Sequence, residues 1–300
     1  MSSQLKVGVV GAGVFAGYHA DKVAAHDRTV LTGIFDHNDV SADKLSAKHS
    51  VGRAANIAAL AKTSDALIIA IPASYHSEAA LIALDNGCHL LVEKPLACTV
   101  GNARLIVERA SRLGRVLQVG HQERIVMQAI GLQNITPLPS QIDIVRHTPR
   151  TSRNLDTSVV MDLMIHDLDL LHALFGAPDW VSTEMARKVY SDKLDEARAE
   201  LGFDGMTAYL SASRDSEAKR RWTLRYETGT IEIDFNAKTL RHDTSFAIDE
   251  NFGERPLVQD NLAAAYDRFV RACLDGDTPL ASGEDGLAAV RAAAHIEGTL

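Results

Sequence analysis

Three side chains able to move protons occur at helical spacing in segment 159–175, VVMDLMIHDLDLLHALF. A helix places Asp162, His166 and Asp169 on one face, because they are separated by four and then three residues. An Asp one turn before a His can orient the imidazole, and His exchanges protons near neutral pH. The pattern therefore indicates a catalytic site. An ordinary helix with solvated acids, a buried structural histidine and a metal site stay open, although no third zinc ligand occurs in a matching motif.

A second reactive group, Lys94, lies in the sequence Glu93-Lys94-Pro95, directly after the apolar run 88–92. Ligands of open parallel sheets bind beyond the carboxyl ends of the strands, so a lysine there can point into a cofactor crevice. Pro95 restricts Lys94 to extended backbone angles, and the bond between them can be cis. The alternative is a surface lysine at the end of a strand.

The element that would hold a cofactor beside Lys94 is the segment 6–18, KVGVVGAGVFAGY. It reads G-x-G-x-x-A, with Gly11 for the tight turn, Gly13 for close approach of a pyrophosphate and Ala16 for helix–strand packing. The following helix offers free amides and a positive dipole end to phosphates. We expect Val14 and Phe15 to border the cofactor. The alternative is an ordinary tight turn between a strand and a helix.

Asp36 ends the predicted second strand, twenty residues beyond Ala16, where a ribose-binding acid belongs. A carboxylate there accepts hydrogen bonds from the adenosine 2′-hydroxyl and repels a 2′-phosphate, so NAD is predicted over NADP. A capping Asp at a strand end is the alternative. The remaining candidates for cofactor binding are His37, Ile71, Pro72, His76, Glu93 and Lys94.

The first 120 residues alternate apolar runs and helical patterns, which predicts right-handed crossovers and an α/β, doubly wound parallel sheet. Past Gly120 the apolar and polar residues alternate along several segments, as in an antiparallel sheet with one covered face. We therefore predict a Rossmann domain at 1–120 and an α+β domain at 121–300, with the last helices able to pack back on the first domain. The predicted strands of the second domain are 141–147, 205–213, 221–227 and 230–236; its helices are 159–175, 261–274 and 283–298.

Composition excludes several functional classes. The 300 residues are 46% hydrophobic and 23% charged, as in a soluble globular protein, and no apolar run approaches a membrane span. The net charge of −8 argues against a general nucleic-acid binder. The three cysteines lack C-x-x-C spacing, and the N-terminus has no signal core, so a cytoplasmic location without structural disulfides or zinc is expected.

Together, GAGVFA, Asp36, Glu93-Lys94-Pro95 and DLMIHDLD resemble the Gfo/Idh/MocA family of oxidoreductases over essentially the whole chain. The resemblance implies an N-terminal nicotinamide-binding domain and a C-terminal, mostly antiparallel open sheet with helices on one face. That sheet often forms a subunit interface, so a homo-oligomer, dimer or tetramer, is expected. The resemblance also implies that Lys94 and His166 flank the reacting carbon and its hydroxyl, and that Asp162 binds substrate or orients the site.

The chain departs from the family pattern at two places. Serine and valines replace the usual glycines before the D-x-x-x-H helix, and Gly120-His121-Gln122-Glu123-Arg124 replaces G-F-N-R-R. The segment DLMIHDLDL is similar to the corresponding segment of a subgroup that oxidises UDP-N-acetylglucosamine at the sugar 3-hydroxyl. In that case Arg146, Arg150 or Arg153 in the loop before the helix would hold the diphosphate, although a solvated basic loop is an equal alternative. The substrate candidates are Arg124, Arg150, Arg153 and Asp169.

The predicted activity is hydride transfer between a nicotinamide and a secondary alcohol or ketone of a sugar or nucleotide sugar. Lys94 can stabilise an alkoxide and His166 can accept a proton, but the residues do not decide which is the base. Two other functions stay open. One is a catalytically silent, NAD-sensing regulator on the same fold; the other is a reductase of an imine, dihydrodiol or tetrapyrrole.

Overall fold

The computed structural model describes residues 4–151 and 155–300, which form two sheets and the helices around them. The strands are β1 (Leu5–Val10), β2 (Thr29–Phe35), β3 (Gly52–Arg53), β4 (Ala66–Ile69), β5 (His89–Val92), β6 (Leu117–Val119), β7 (Gln141–His147), β8 (Trp180–Arg187), β9 (Glu196–Phe203), β10 (Met206–Ser213), β11 (Lys219–Tyr226), β12 (Gly229–Asp234) and β13 (Thr239–His242). The α-helices are α1 (Val14–Ala25), α2 (Asp39–His49), α3 (Ile57–Ala61), α4 (His76–Asp85), α5 (Val100–Arg112), α6 (Arg124–Ile130), α7 (Ile165–Phe175), α8 (Pro256–Gln259), α9 (Asn261–Asp275) and α10 (Gly283–Glu297).

The first sheet is parallel, with strand order β3-β2-β1-β4-β5-β6. All four residues of β4 are buried, which agrees with a strand covered on both faces. The order reverses between β1 and β4, and this switch point is where a doubly wound sheet opens a crevice for a ligand. The predicted Rossmann sheet is confirmed.

The second sheet has the order β13-β12-β11-β7-β10-β9-β8, and its pairs are antiparallel except β7 with β10. Burial alternates along β7, where Ile142 and Ile144 are buried. On β12, Ile231 and Ile233 are buried while Glu232 is exposed, as the sequence pattern predicted. The mostly antiparallel sheet with one covered face is therefore confirmed.

Two compact units divide the chain. One comprises residues 4–122 and 262–287, and the other contains the remaining described residues from Glu123 to Asn261 and from Ala288 to Leu300. Helix α9 belongs to the first unit, where Tyr266 and Phe269 pack in the same apolar core as Val7, Val9 and Ile68. Helix α10 contributes residues to both units.

The segment 159–175 does not form one uninterrupted α-helix. Residues Val160–Met164 form a turn of π-helix, and α7 begins only at Ile165. Since a π-turn closes its hydrogen bonds over five residues, Asp162 and His166 do not have the simple α-helical i, i+4 relation that their spacing suggested. Such turns recur at functional sites.

Candidate active site

The glycine turn is closed on one side and open on the other. Gly11 has φ +116°, and a Cβ there would lie 2.4 Å from the carbonyl oxygen of Ala70. Gly13 has no neighbouring atom within 4 Å of a Cβ position. Ala16 is fully buried where α1 leaves the turn. The close Ala70 carbonyl excludes a side chain at Gly11, while the space beside Gly13 is open, as the predicted approach of a pyrophosphate requires.

Asp36 is fixed by backbone donors at the carboxyl end of β2. Its Oδ2 accepts a hydrogen bond from the amide of Ala12 at 2.6 Å, and its Oδ1 accepts one from the amide of Asn38 at 2.7 Å. Each carboxylate oxygen keeps a further lone pair for a ribose hydroxyl. The carboxylate and the open glycine turn therefore suit an adenosine diphosphate group.

The other residues expected around the turn are exposed. Val14 and Phe15 are 55% and 40% exposed on the first turn of α1, and the Phe15 ring packs edge-on against Tyr18. His37 is exposed after β2 and contacts the Phe35 ring edge-on. These side chains are open to a ligand, and their contact with a cofactor remains a prediction.

His76 connects the ends of β4 and β5. Its Nδ1 lies 2.8 Å from the carbonyl oxygen of Pro95, and its Nε2 lies 2.9 Å from that of Ile71. Both carbonyls only accept, so hydrogen bonds to both require a proton on each ring nitrogen. The buried imidazole thereby connects the backbone after β4 to the backbone after β5, while Pro72 is exposed after β4.

Glu93 and Lys94 follow β5 directly. The buried Glu93 carboxylate is 2.7 Å from Nε2 of the buried His19, a contact that the sequence reasoning missed. Burial disfavours the carboxylate, but the hydrogen bond and charge of His19, with the charges of Lys94 and His76, lower the pKa of Glu93. Lys94 is half-buried, and its bond to Pro95 is cis. The Glu93 carboxylate therefore places a negative charge near the Lys94 ammonium group at the end of the strand.

In the second unit, His166 is almost buried and faces a carboxylate that the sequence reasoning also missed. Its side chain is 14% exposed, and its Nδ1 is 3.2 Å from Oε1 of Glu123. Asp162 is 9% exposed on the preceding π-turn. The alternation along β7 could have predicted such a carboxylate. Arg146 follows Ile142 and Ile144 on the covered face of the strand, and a buried arginine requires an anion near it.

The predicted substrate residues fall into three environments. Arg124 forms a buried bidentate pair with Asp169, with contacts of 2.9 and 2.6 Å. Arg150 is exposed and pairs with Asp215. Arg153 lies outside the described residues. The placement of Arg146 in the loop was wrong: it lies within β7, because the alternation of the strand continues through it to His147.

Neither a metal-ligand cluster nor a membrane-spanning helix is found among the residues that the structure describes. Within the described part of the chain, no group of three His, Cys, Asp or Glu side chains is arranged to hold a metal ion. None of the helices in residues 4–151 and 155–300 combines the length and apolarity that a membrane crossing needs.

Comparison with known proteins identifies the family. Residues 5–121 match the oxidoreductase family model with an NAD-binding Rossmann fold, and residues 134–232 match the C-terminal domain of the same family. The chain belongs to the Gfo/Idh/MocA family. Membership confirms a nicotinamide-dependent dehydrogenase that acts on alcohol groups, as the resemblance predicted.

Named relatives include sugar and nucleotide-sugar dehydrogenases. The UDP-N-acetylglucosamine 3-dehydrogenase of Acidithiobacillus ferrooxidans is 33% identical over 239 residues, 79% of this chain and 76% of that protein. Its solved structure superposes with a TM-score of 0.90 and 30% identity, covering 99% of this chain and 98% of the other. An inositol 2-dehydrogenase of Mycolicibacterium gilvum is 27% identical, over 58% of this chain and 53% of that protein.

Proposed function

We propose that the protein is an NAD-dependent 3-dehydrogenase of a UDP-N-acetylhexosamine. The observation that carries the proposal is the match to UDP-N-acetylglucosamine 3-dehydrogenase, which holds across both units with a TM-score of 0.90 at 30% identity. The reaction converts a secondary alcohol at sugar C3 to a ketone. When bound, NAD supplies the acceptor for the hydride that leaves C3.

We propose catalytic roles for Lys94, His166 and Asp162. Lys94, as an ammonium group, stabilises negative charge that develops on the substrate oxygen. His166 accepts or returns a proton at one ring nitrogen. Asp162, on the π-turn before α7 and 9% exposed, orients the substrate. The presence of both the lysine and the histidine favours an enzyme over a silent sensor.

We propose NAD as the preferred cofactor, since the Asp36 carboxylate accepts from ribose hydroxyls and repels a 2′-phosphate. Its two backbone hydrogen bonds keep the charge in place at the end of β2. The glycine turn, Val14, Phe15, His37, Ile71, Pro72 and His76 complete the proposed cofactor site.

For the substrate diphosphate we propose Arg150 and Arg153. Arg150 is exposed, and its guanidinium lies 4.9 Å above the Tyr190 ring while pairing with Asp215. An exposed arginine can exchange a surface carboxylate for a phosphate at little cost, because solvent screens both pairs. The buried Arg124–Asp169 pair is proposed as part of the wall that the sugar contacts.

We further propose a cytoplasmic homo-oligomer assembled through the seven-stranded sheet. Trp180 and Tyr209 are 46% and 40% exposed on β8 and β10, and burial of exposed aromatic side chains favours association. All three cysteines are free thiols, which agrees with a reducing compartment. Light scattering after size exclusion tests the assembly: a monomer at micromolar concentration contradicts it.

The deciding experiment is an NADH-absorbance screen with NAD and a panel of alcohols. We expect turnover of UDP-N-acetylglucosamine and much weaker turnover of free N-acetylglucosamine, inositols and aldoses. Arg150→Ala should raise KM for the nucleotide sugar and leave KM for NAD unchanged. A response to a free polyol without a response to the nucleotide sugar contradicts the proposed substrate.

A further inference from the structure

We propose that Glu123 is the positioning residue for His166: its carboxylate holds the proton of the neutral imidazole on Nδ1 and leaves Nε2 as the proton acceptor. This inference rests on the proposed dehydrogenase function, which it deepens by assigning the base. Glu123 lies in the segment Gly120-His121-Gln122-Glu123-Arg124, directly before α6.

The contact is short and shielded from water. Oε1 of Glu123 and Nδ1 of His166 are 3.2 Å apart, and the two side chains are 11% and 14% exposed. The 3.2 Å separation is that of an ion pair. Catalytic hydrogen bonds are often loose before substrate binds and tighten in the complex.

Two arginines keep Glu123 ionised. Arg146 on β7 and Arg220 on β11 lie directly opposite each other in the antiparallel ladder, where like charges repel unless an anion lies between them. Arg146 donates to both carboxylate oxygens of Glu123, at 3.2 and 2.9 Å, and Arg220 pairs with Oε2. Burial opposes ionisation, but Arg146, His166 and Arg220 outweigh it and hold the pKa of Glu123 well below its usual range.

A second carboxylate, Asp167, fixes Arg146. Asp167 accepts from Nε and an outer nitrogen of Arg146 at 2.6 and 2.8 Å, and from the indole N–H of Trp222 at 2.9 Å. The Arg220 guanidinium lies 4.7 Å from the centre of the Phe235 ring. Since these partners come from β7, β11, α7 and the residue after β12, the Glu123 carboxylate has little freedom to turn away from His166.

This arrangement decides which ring nitrogen of His166 carries a proton and which one accepts the substrate proton. A neutral imidazole has one N–H, and an anion beside Nδ1 favours the proton there. In alcohol oxidation the O–H bond breaks and its proton forms the Nε2–H bond, while NAD, when bound, would supply the acceptor for the hydride of C3. The resulting imidazolium is paired with Glu123, as a carboxylate stabilises the histidine of a hydrolytic triad. His166 is thus the base, and Lys94 is the electrostatic group.

The test that does not depend on turnover is ¹⁵N NMR of the histidine rings in the full-length protein, with His166→Gln to assign the signal among the 12 histidines. We expect neutral His166 to carry its proton on Nδ1. In Glu123→Gln the titration midpoint of His166 should fall by about one pH unit or more, because the imidazolium loses its anion. The control Asp195→Asn removes a buried carboxylate bound to Arg214 and should leave the midpoint unchanged.

Steady-state kinetics provide a second test of the role of Glu123. Glu123→Gln should lower kcat about 10- to 100-fold with a small change in KM, and shift the acid limb of the kcat profile to lower pH. Glu123→Asp should restore part of the rate. A proton on Nε2 in the wild-type protein, or equal midpoints in Glu123→Gln and Asp195→Asn, overturns the role of Glu123. An inactive wild-type protein with the expected NMR result overturns the proposed function and supports the positioning contact.

Discussion

The backbone amide of Ala12 donates a hydrogen bond to the carboxylate of Asp36 over 2.6 Å and ties the glycine turn to the end of β2. The same carboxylate is therefore both a brace for the turn and the proposed ribose acceptor. Any replacement of Asp36 has to be interpreted with both roles in mind.

Asp36→Asn should reduce the preference for NAD over NADP at least about tenfold, a change of about 1.4 kcal/mol. The amide keeps the side-chain size and one acceptor oxygen but no longer repels a 2′-phosphate. The ratio of kcat/KM for the two cofactors measures the effect. Asp39→Asn, an exposed carboxylate three residues along the chain, is the control and should leave the ratio unchanged. An unchanged ratio in Asp36→Asn contradicts the assigned role.

Alanine should affect stability at Gly11 and NAD binding at Gly13. Gly11→Ala forces a Cβ to within 2.4 Å of the Ala70 carbonyl at φ +116°, so we expect a loss of roughly 2 kcal/mol or more of stability. Gly13→Ala has extended backbone angles and open space, so its melting temperature should barely change. Its methyl group should weaken NAD binding. Calorimetric unfolding and titration of NAD test the pair, and equal stability losses would contradict it.

Lys94→Ala and His166→Ala should each lower kcat by about 100-fold or more while NAD still binds. The lysine stabilises charge on the substrate oxygen and the histidine moves its proton, so neither is needed to hold the cofactor. Titration of NAD by fluorescence and steady-state turnover separate the two effects. His172→Ala, on the same helix as His166, is the control. Full rates in either active-site variant would refute the assigned chemistry.

Asp195 should make the second unit sensitive to acid. The buried carboxylate accepts from the hydroxyl of Ser191 and from the amides of Val189, Tyr190 and Ser191, and it pairs with Arg214. Burial raises the pKa of Asp195, but these hydrogen bonds outweigh it and lower the pKa below its usual value.

A carboxyl whose folded pKa is depressed stabilises the protein above its unfolded pKa of about 3.9, and this contribution is lost as the pH falls towards the folded value. Asp195→Asn should therefore cost about 3 kcal/mol at pH 7 and progressively less below pH 4. Urea unfolding at pH 7 and pH 3 measures the difference. The exposed Asp192→Asn is the control, and a loss that is equal at both pH values would contradict the explanation.

The sequence by itself determined the parallel sheet, the glycine turn and the identity of the family. Short-range patterns carry these features: a buried apolar run followed by G-x-G-x-x-A specifies a strand, a turn and a helix without reference to distant residues. Alternation along 141–147 and 230–236 likewise predicted half-buried strands, because side chains of a strand point to opposite faces in turn.

Tertiary structure alone decided the partners of the charged groups. Glu123 and His166 are 43 positions apart by numbering, and the packing of α7 and the strand register bring them and Arg146 together. The π-turn before α7, the His19–Glu93 contact and the buried carboxylate partners of Arg146 also escaped the sequence reasoning. The sequence shows which residues are charged. Which charged residues come into contact depends on long-range packing, because a buried ion requires a partner that local spacing does not reveal.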